Sequence, residues 1–120
     1  MESGHLPGRE YQGRPWGHFE RFTHGEHSTV KIIFVRAGES LSLQSHVKRD
    51  EFWRILDGQG VVTIDDAVLH ARKDDEFFIP RTAKHRIEAS ADQDLRFLEI
   101  SFGEFDENDI VRYEDKYNRN

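Results

Sequence analysis

The chain has 120 residues, 36% of them hydrophobic, and a formal net charge of −6 at pH 7; this length allows one hydrophobic core and therefore one domain. The acidic balance excludes an extended basic surface for nucleic acid. Cysteine is absent, which excludes disulfides and thiolate metal sites and leaves histidine, carboxylate and amide groups as possible metal ligands.

The N-terminal residues lack a basic start followed by an apolar run, and the apolar stretches are too short to cross a membrane. We therefore expect a cytoplasmic protein. We divide the chain into an irregular N-terminal arm at 1–28, a β-barrel at 29–105 and a C-terminal tail at 106–120. The charged tail is expected to form a short helix or an extended arm.

Short β-type segments, separated by turn residues, follow one another from residue 30 onwards. They are rich in β-branched and aromatic residues or alternate between apolar and polar side chains. The segments lie at 30–38, 41–46, 51–56, 61–64, 67–70, 76–80, 85–89 and 95–102. Asp65 and Asp66 separate two of them, as in a tight hairpin turn. Seven or eight short strands at regular spacing predict an all-β barrel or sandwich.

Polar side chains that can bind a metal fall on one face of three predicted strands. Residues two apart in a strand point to the same face, so Ser42, Gln44 and His46 lie together, with Glu51 and His85 on other strands. If this face is the barrel interior, one amide, one carboxylate and two imidazoles are buried there, which is costly unless they have a partner. One divalent ion would satisfy all four, with zinc expected first and manganese, nickel, cobalt or iron as alternatives.

The spacing of these residues resembles the two sequence motifs of the cupin superfamily. The matching positions are Gly38, Gln44, His46, Glu51, Gly58, Pro80 and His85. Gln44 replaces a histidine of the first motif, while Thr82 and Ala89 depart from the second. The resemblance implies a double-stranded β-helix (a jelly-roll barrel), with a metal bound by Gln44, His46, Glu51 and His85. It also implies a homodimer formed through outer strands.

Longer stretches resemble the type II phosphomannose isomerases, also called mannose-6-phosphate isomerases. They are GRPWG at 13–17, LSLQSHVKRDEFW at 41–53, IPRTAKHRIE at 79–88 and DENDIVRYEDKYNR at 106–119. The resemblance implies an isomerase that interconverts mannose 6-phosphate and fructose 6-phosphate. Larger members carry an additional nucleotidyltransferase domain, whereas this sequence has no glycine-rich nucleotide loop, so we expect no guanylyltransferase activity from this polypeptide.

The resemblance also suggests roles for individual residues. Glu99 and Arg86 are the candidate catalytic residues, with Glu99 as the base that moves a proton between two sugar carbons. The candidate substrate-binding residues are Ser42, Lys31, Arg49 and Arg14, because cationic side chains suit a phosphate group. For each of these cations a surface salt bridge is an equally reasonable role, and Glu99 could equally be a surface carboxylate.

Two alternatives to the isomerase stay open at this point. The first is a non-catalytic, metal-containing cupin that binds a sugar or a sugar phosphate. The second is an oxygen-activating dioxygenase, which is less well supported because such iron sites prefer more imidazole ligands and Gln44 replaces one of them.

Overall fold

The computed structural model describes residue 6 and residues 8–114, and every regular element in this part of the chain is a β-strand. The strands are β1 (Glu10–Arg14), β2 (Gly17–Arg21), β3 (Ser28–Val35), β4 (Leu43–Ser45), β5 (Arg49–Asp57), β6 (Gln59–Ile64), β7 (Ala67–Arg72), β8 (Glu76–Ile79), β9 (His85–Ala89), β10 (Leu95–Gly103) and β11 (Val111–Glu114). The all-β prediction is thus confirmed. The described residues contain no helix of the length and apolar character needed to span a membrane.

The strands form three antiparallel sheets. The first is the hairpin of β1 and β2, the second has the order β3-β10-β5-β8, and the third has the order β11-β4-β9-β6-β7. The two larger sheets pack face to face as a sandwich, because each strand turns alternate apolar side chains towards the other sheet.

The main hydrophobic core lies between the two larger sheets. Trp53 and Ile55 of β5 pack there with Phe97 of β10, Ile87 of β9 and Val62 of β6, and all five are buried. Each such side chain stabilises the fold by roughly 1.5–3 kcal/mol through removal of apolar surface from water. The ring centroids of Trp53 and Phe97 are 4.9 Å apart, which places two aromatics at the centre of this core.

Two tight turns connect β5, β6 and β7 in succession. Asp65 has a φ of 51° in the turn between β6 and β7, where Ile64 pairs with Ala67, so the predicted hairpin is present. Gly58 has a φ of 81° between β5 and β6, and a Cβ atom there would lie 2.0 Å from the carbonyl oxygen of Asp94. Only glycine fits at that turn.

Strands also occur at both ends of the described chain, where the sequence predicted an arm and a tail. β1 and β2 form a hairpin with Arg14 paired to Gly17, and β11 pairs with β4 through Val111 and Ser45. These strands have few apolar positions, so their alternation is weak in the sequence. Residues 111–114 are therefore part of the barrel sheet, whereas residues 1–5, 7 and 115–120 lie outside the described residues.

Candidate metal centre

Three buried side chains meet at one end of the barrel interior. His46 follows β4, Glu51 lies on β5 and His85 begins β9, and one potential ligand atom from each lies within 4.8 Å of the others. Nε2 of His46 is 3.4 Å from one carboxylate oxygen of Glu51, and Nε2 of His85 is 3.6 Å from the other. The three residues are 1–3% exposed. Two imidazoles therefore face one carboxylate away from solvent.

Backbone carbonyls orient both imidazole rings. Nδ1 of His46 lies 2.7 Å from the carbonyl oxygen of Asp109, and Nδ1 of His85 lies 3.0 Å from that of Ala83. Because a carbonyl only accepts hydrogen bonds, each Nδ1 carries the proton and each Nε2 keeps a lone pair. Burial lowers the pKa of both histidines, against the opposing charge of Glu51. Both rings are thus held in the neutral form that binds metals.

Glu51 keeps its charge although it is buried. Burial by itself raises the pKa of this carboxyl group, but the neighbouring imidazoles of His85 and His46, together with the positive charge and hydrogen bond of Arg49, outweigh burial and lower it. Arg49 Nε donates to Oε2 of Glu51 at 3.0 Å and Trp53 Nε1 donates to Oε1 at 3.1 Å. The centre therefore combines one ionised carboxylate with two neutral imidazoles.

This donor set fits a first-row divalent ion, since imidazole nitrogens and a carboxylate oxygen are common ligands of zinc and its neighbours. His46, Glu51 and His85 can thus hold a metal ion. Arg49 Nη2 also lies 3.2 Å from Nε2 of His46, so an ion there would compete with the guanidinium group for that lone pair.

Gln44, the predicted amide ligand, stands beside this group. It is paired in register with His85 across β4 and β9. Its amide nitrogen donates to Ser42, at 3.0 Å from the hydroxyl oxygen and 3.3 Å from the carbonyl oxygen. These bonds leave the amide oxygen of Gln44 as a possible fourth ligand.

A cavity of about 670 Å³ lies against the centre and opens at the same end of the barrel. Its lining includes Lys31, Ser42, Gln44, Arg49, Glu99, Phe105 and Arg112. Glu99 is 6% exposed and points inward from β10. Burial, followed by the charge of Glu51, raises the pKa of Glu99 to about 7. The cavity wall therefore carries a carboxyl group that can hold or release a proton near neutral pH.

Cationic groups line the cavity around one aromatic ring. The Lys31 ammonium lies 4.4 Å and the Arg49 guanidinium 4.6 Å from the ring centre of Phe105. Arg49 Nη1 and Arg112 Nε are buried and, among the described residues, have no hydrogen-bond partner. Buried donors of this kind need an acceptor, so this wall suits an anionic ligand. Arg112 was not among the predicted residues, because its inward direction depends on β11 joining the sheet.

The segment that follows β10 is tied to the metal centre by Asp109. Its side-chain carboxylate accepts hydrogen bonds from the backbone nitrogens of Val47 at 2.9 Å and Lys48 at 2.8 Å, while its carbonyl oxygen holds His46. Asp109 therefore fixes both the ring and the loop of this ligand. Sequence reasoning did not identify it, since only the charged composition of residues 106–109 points to it.

Two predicted site residues lie away from the cavity. Arg86 follows the inward His85 and so projects from the opposite face of β9, where its Nη1 donates to Glu114 at 3.2 Å. Arg14 lies on the exposed hairpin and donates to Gln12 at 2.6 Å. The cavity lining therefore includes Ser42, Lys31, Arg49 and Glu99 but neither Arg86 nor Arg14, whose roles stay predictions.

A sandwich of two antiparallel sheets with a His-Glu-His group at one end defines a cupin. Residues 8–115 match the family model described as mannose-6-phosphate isomerase C-terminal, and the chain belongs to this family.

Relatives and solved structures agree with this assignment. The chain is 38% identical to a mannose-1-phosphate guanylyltransferase of Salmonella montevideo over 97% of this chain and 25% of that protein. It is 37% identical to the xanthan biosynthesis protein XanB of Xanthomonas campestris over 88% of this chain and 23% of that protein. It thus spans about a quarter of the length of these relatives. A cupin protein from Bacteroides fragilis superposes with a TM-score of 0.60 and 30% identity, covering 63% of this chain and 65% of its own.

The predicted activity is corrected by these comparisons. Interconversion of mannose 6-phosphate and fructose 6-phosphate was inferred from motif resemblance. Relatives of the chain are instead named mannose-1-phosphate guanylyltransferase, xanthan biosynthesis protein XanB and alginate biosynthesis protein AlgA. The isomerase prediction is therefore wrong, and the non-catalytic sugar-binding alternative gains no support. The comparisons support the coarser statement that the chain is similar to part of larger enzymes.

Proposed function

We propose that this cupin domain is a metal-dependent enzyme domain that exchanges protons with a phosphorylated sugar in its cavity. The observation that carries the proposal is geometric, because Glu99, His46 and His85 lie at one end of the barrel interior. Two buried arginine N–H groups lie at the same end and have no hydrogen-bond partner within the described part of the chain. The names of several relatives refer to mannose 1-phosphate, which supports a sugar phosphate as the class of ligand.

His46, Glu51 and His85 would hold one divalent ion, with Gln44 as the fourth ligand. Zinc is the first choice for two imidazoles and a carboxylate, followed by manganese, nickel, cobalt or iron. When bound, such an ion would act as a Lewis acid that polarises oxygen atoms of the sugar. Trp53 and Arg49 support the site by fixing the two oxygens of Glu51, because a ligand carboxylate needs its own hydrogen-bond partners to hold its orientation.

Glu99 would accept and return the proton. It lies inside the barrel opposite Lys31 in the β3–β10 register, and its neighbour on the other side is Trp53 of β5. Glu99 also lines the cavity, where a bound sugar would meet its carboxyl group. Such a group supplies general acid–base catalysis, which contributes typically 10²- to 10⁴-fold in rate.

The cationic wall would bind the phosphate. Arg49 and Arg112 offer buried N–H donors, and Lys31 adds a compact positive charge. Ser42 lies deeper on the same wall, where its hydroxyl group already accepts from Gln44 and can donate one further hydrogen bond. A phosphate at this wall would leave the sugar carbons facing Glu99.

The test has two parts on the full chain. Elemental analysis after loading with zinc or manganese should find about one ion per chain. Incubation in D₂O with a panel of hexose and pentose phosphates should give exchange of carbon-bound hydrogen in one of them, seen by NMR. Glu99→Gln should abolish the exchange while keeping the ion. Absence of exchange across the panel in metal-loaded protein would refute the catalytic proposal, and retention of exchange in Glu99→Gln would remove Glu99 from it.

A further inference from the structure

Arg49 contacts two of the groups that would bind the metal ion. Its Nε donates to Oε2 of Glu51 at 3.0 Å, and its Nη2 lies 3.2 Å from Nε2 of His46. That Nε2 is in turn 3.4 Å from the same carboxylate oxygen. The guanidinium group, the imidazole ring and the carboxylate therefore form a closed triangle of contacts, in which Arg49 is only 8% exposed.

One lone pair of His46 cannot serve both the guanidinium group and a metal ion. A neutral imidazole has a single acceptor nitrogen, and Nδ1 of His46 is already bonded to the carbonyl oxygen of Asp109. An ion bound at Nε2 would therefore displace Nη2 of Arg49. The charges of the ion and the guanidinium group would add to this effect, because like charges repel each other strongly where solvent is excluded.

The backbone around Arg49 is held on two sides, so the displaced group can move only by rotation of its side chain. Arg49 pairs in register with Gly103 of β10, where a Cβ atom on the glycine would lie 2.7 Å from the carbonyl oxygen of Lys48. The two residues before Arg49 donate their backbone N–H groups to Asp109. Close packing and hydrogen bonds thus leave the side-chain torsions of Arg49 free to change.

The cavity offers the displaced guanidinium group a second position. Its Cζ lies 4.6 Å from the ring centre of Phe105, and both residues line the cavity together with Lys31 and Arg112. Nη1 of Arg49 is buried and has no hydrogen-bond partner in the described part of the chain. Rotation towards the cavity would bring a second N–H group of Arg49 beside the other two cations, where an anionic oxygen is the acceptor that suits them.

We propose that Arg49 couples the metal centre to the anion site, so that a divalent ion at His46 and Glu51 makes the cavity bind a sugar phosphate more tightly. This inference rests on the proposed function, which supplies the ion and the class of ligand. Coupling between two binding sites is reciprocal, so the sugar phosphate strengthens binding of the ion by the same factor. The metal-loaded chain is then the form that selects phosphorylated sugars.

Calorimetry on the full chain with mannose 1-phosphate as the probe tests this coupling, once in chelator and once with zinc bound. The affinity should rise about 5- to 150-fold with zinc, the usual range for coupled sites. Most of this gain should disappear in Arg49→Met, because methionine can still pack on Phe105 but has no N–H group to donate. Arg112→Met is the matched control, since Arg112 lines the same cavity but stands outside the triangle. It should weaken binding under both conditions and keep the gain.

Two results of this experiment would overturn the proposal. A gain of the same size in Arg49→Met would mean that zinc itself holds the phosphate. Equal affinity of the wild type with and without zinc, or no binding under either condition, would mean that the two sites are independent. Neither result decides the proposed function, which zinc content and hydrogen exchange in D₂O test separately.

A second experiment uses only the wild-type chain and therefore does not depend on the folding of Arg49→Met. Zinc affinity, measured with a competing chelator, should rise in mannose 1-phosphate by the factor that calorimetry gives for the reverse order. A crystal of the zinc-loaded chain with mannose 1-phosphate should show N–H groups of Arg49 on phosphate oxygens. Unchanged zinc affinity, or a guanidinium group still within hydrogen-bond distance of Nε2 of His46, would refute the coupling.

Discussion

The two ends of the barrel interior are built from the same strands but from opposite chemistry. On β9 the interior changes from imidazole at His85 to aliphatic at Ile87, and on β10 it changes from Phe97 to the carboxyl group of Glu99. All four side chains are nearly or fully buried. One end therefore stabilises the fold through apolar packing, while the other keeps groups in place for binding at a cost in stability.

The polar end is tolerated because its most deeply buried charge, the carboxylate of Glu51, has partners. A buried carboxylate without compensation would be strongly unfavourable, yet Glu51 is contacted by Arg49, Trp53 and both imidazoles. Apolar burial at the other end stabilises the fold and offsets the remaining free-energy penalty of burying these polar groups. Substitutions at the two ends should consequently differ in what they damage.

The largest expected effect is on stability at the apolar end. Phe97→Ala removes a fully buried ring and leaves a cavity beside Trp53, so the free energy of unfolding should fall by about 3–5 kcal/mol. Urea denaturation of chelator-treated protein measures this loss. The exposed Val68→Ala should change stability by less than about 0.5 kcal/mol. Equal losses in the two variants would contradict the placement of the core.

The next largest effect is on how the free energy of unfolding depends on pH, through Glu99 at the polar end. Glu99 has a folded-state pKa of about 7, raised from 4.5, so the folded state binds a proton that the unfolded state has lost. The contribution of Glu99 to the free energy of unfolding is therefore fully present below about pH 4.5 and is lost as the pH rises through about 7. The free energy of unfolding changes by on the order of 3 kcal/mol between these limits. Glu99→Gln should lack this fall when the two proteins are compared in chelator. Identical pH profiles would place Glu99 in solvent instead.

A moderate effect on zinc affinity is expected at Asp109, which connects the segment after β10 to the polar end of the barrel. Asp109→Ala removes the acceptor for two backbone nitrogens of the His46 loop, so the affinity for zinc should fall roughly 10- to 100-fold. Titration with a competing chromophoric chelator measures the affinity. Asp66→Ala, in the turn between β6 and β7, is the control and should bind zinc as the wild type does. Unchanged affinity in Asp109→Ala would separate this segment from the site.

The smallest effects compare two arginines, one inside the cavity and one outside. Arg112→Ala should weaken binding of a sugar phosphate about tenfold, because a charge-assisted hydrogen bond is lost. Arg86→Ala should change it less than about twofold, since its exposed ion pair with Glu114 contributes little. Calorimetry with the same ligand measures both. A larger effect at Arg86 would support the role that the sequence motif predicts for it and contradict the cavity assignment of Arg112.

The sequence predicted the parts of this molecule that follow from strand parity. Alternation was sufficient to predict β3 to β10 and the shared face of His46, Glu51 and His85. Parity also excludes Arg86 from that face, since it follows His85 directly, but motif resemblance was given more weight. The activity could not be predicted in the same way, because related chains share motifs while differing in the reaction for which they are named.

Other parts depended on contacts between distant segments. Asp109 acts through a backbone carbonyl oxygen, which leaves no trace in residue type, and 63 residues separate it from His46. Arg112 faces the cavity only because β11 pairs with β4, and a four-residue polar strand has little signal of its own. The β1–β2 hairpin was missed for the same reason.

The central claim is that the polar end of the barrel is a metal centre, and anomalous diffraction from a crystal grown with zinc tests it most directly. The account predicts one peak per chain in contact with Nε2 of His46, Nε2 of His85 and the carboxylate of Glu51, and no peak there in His85→Ala. A zinc-saturated crystal without density between these three groups, with the Arg49 guanidinium still bonded to His46 and Glu51, would contradict it.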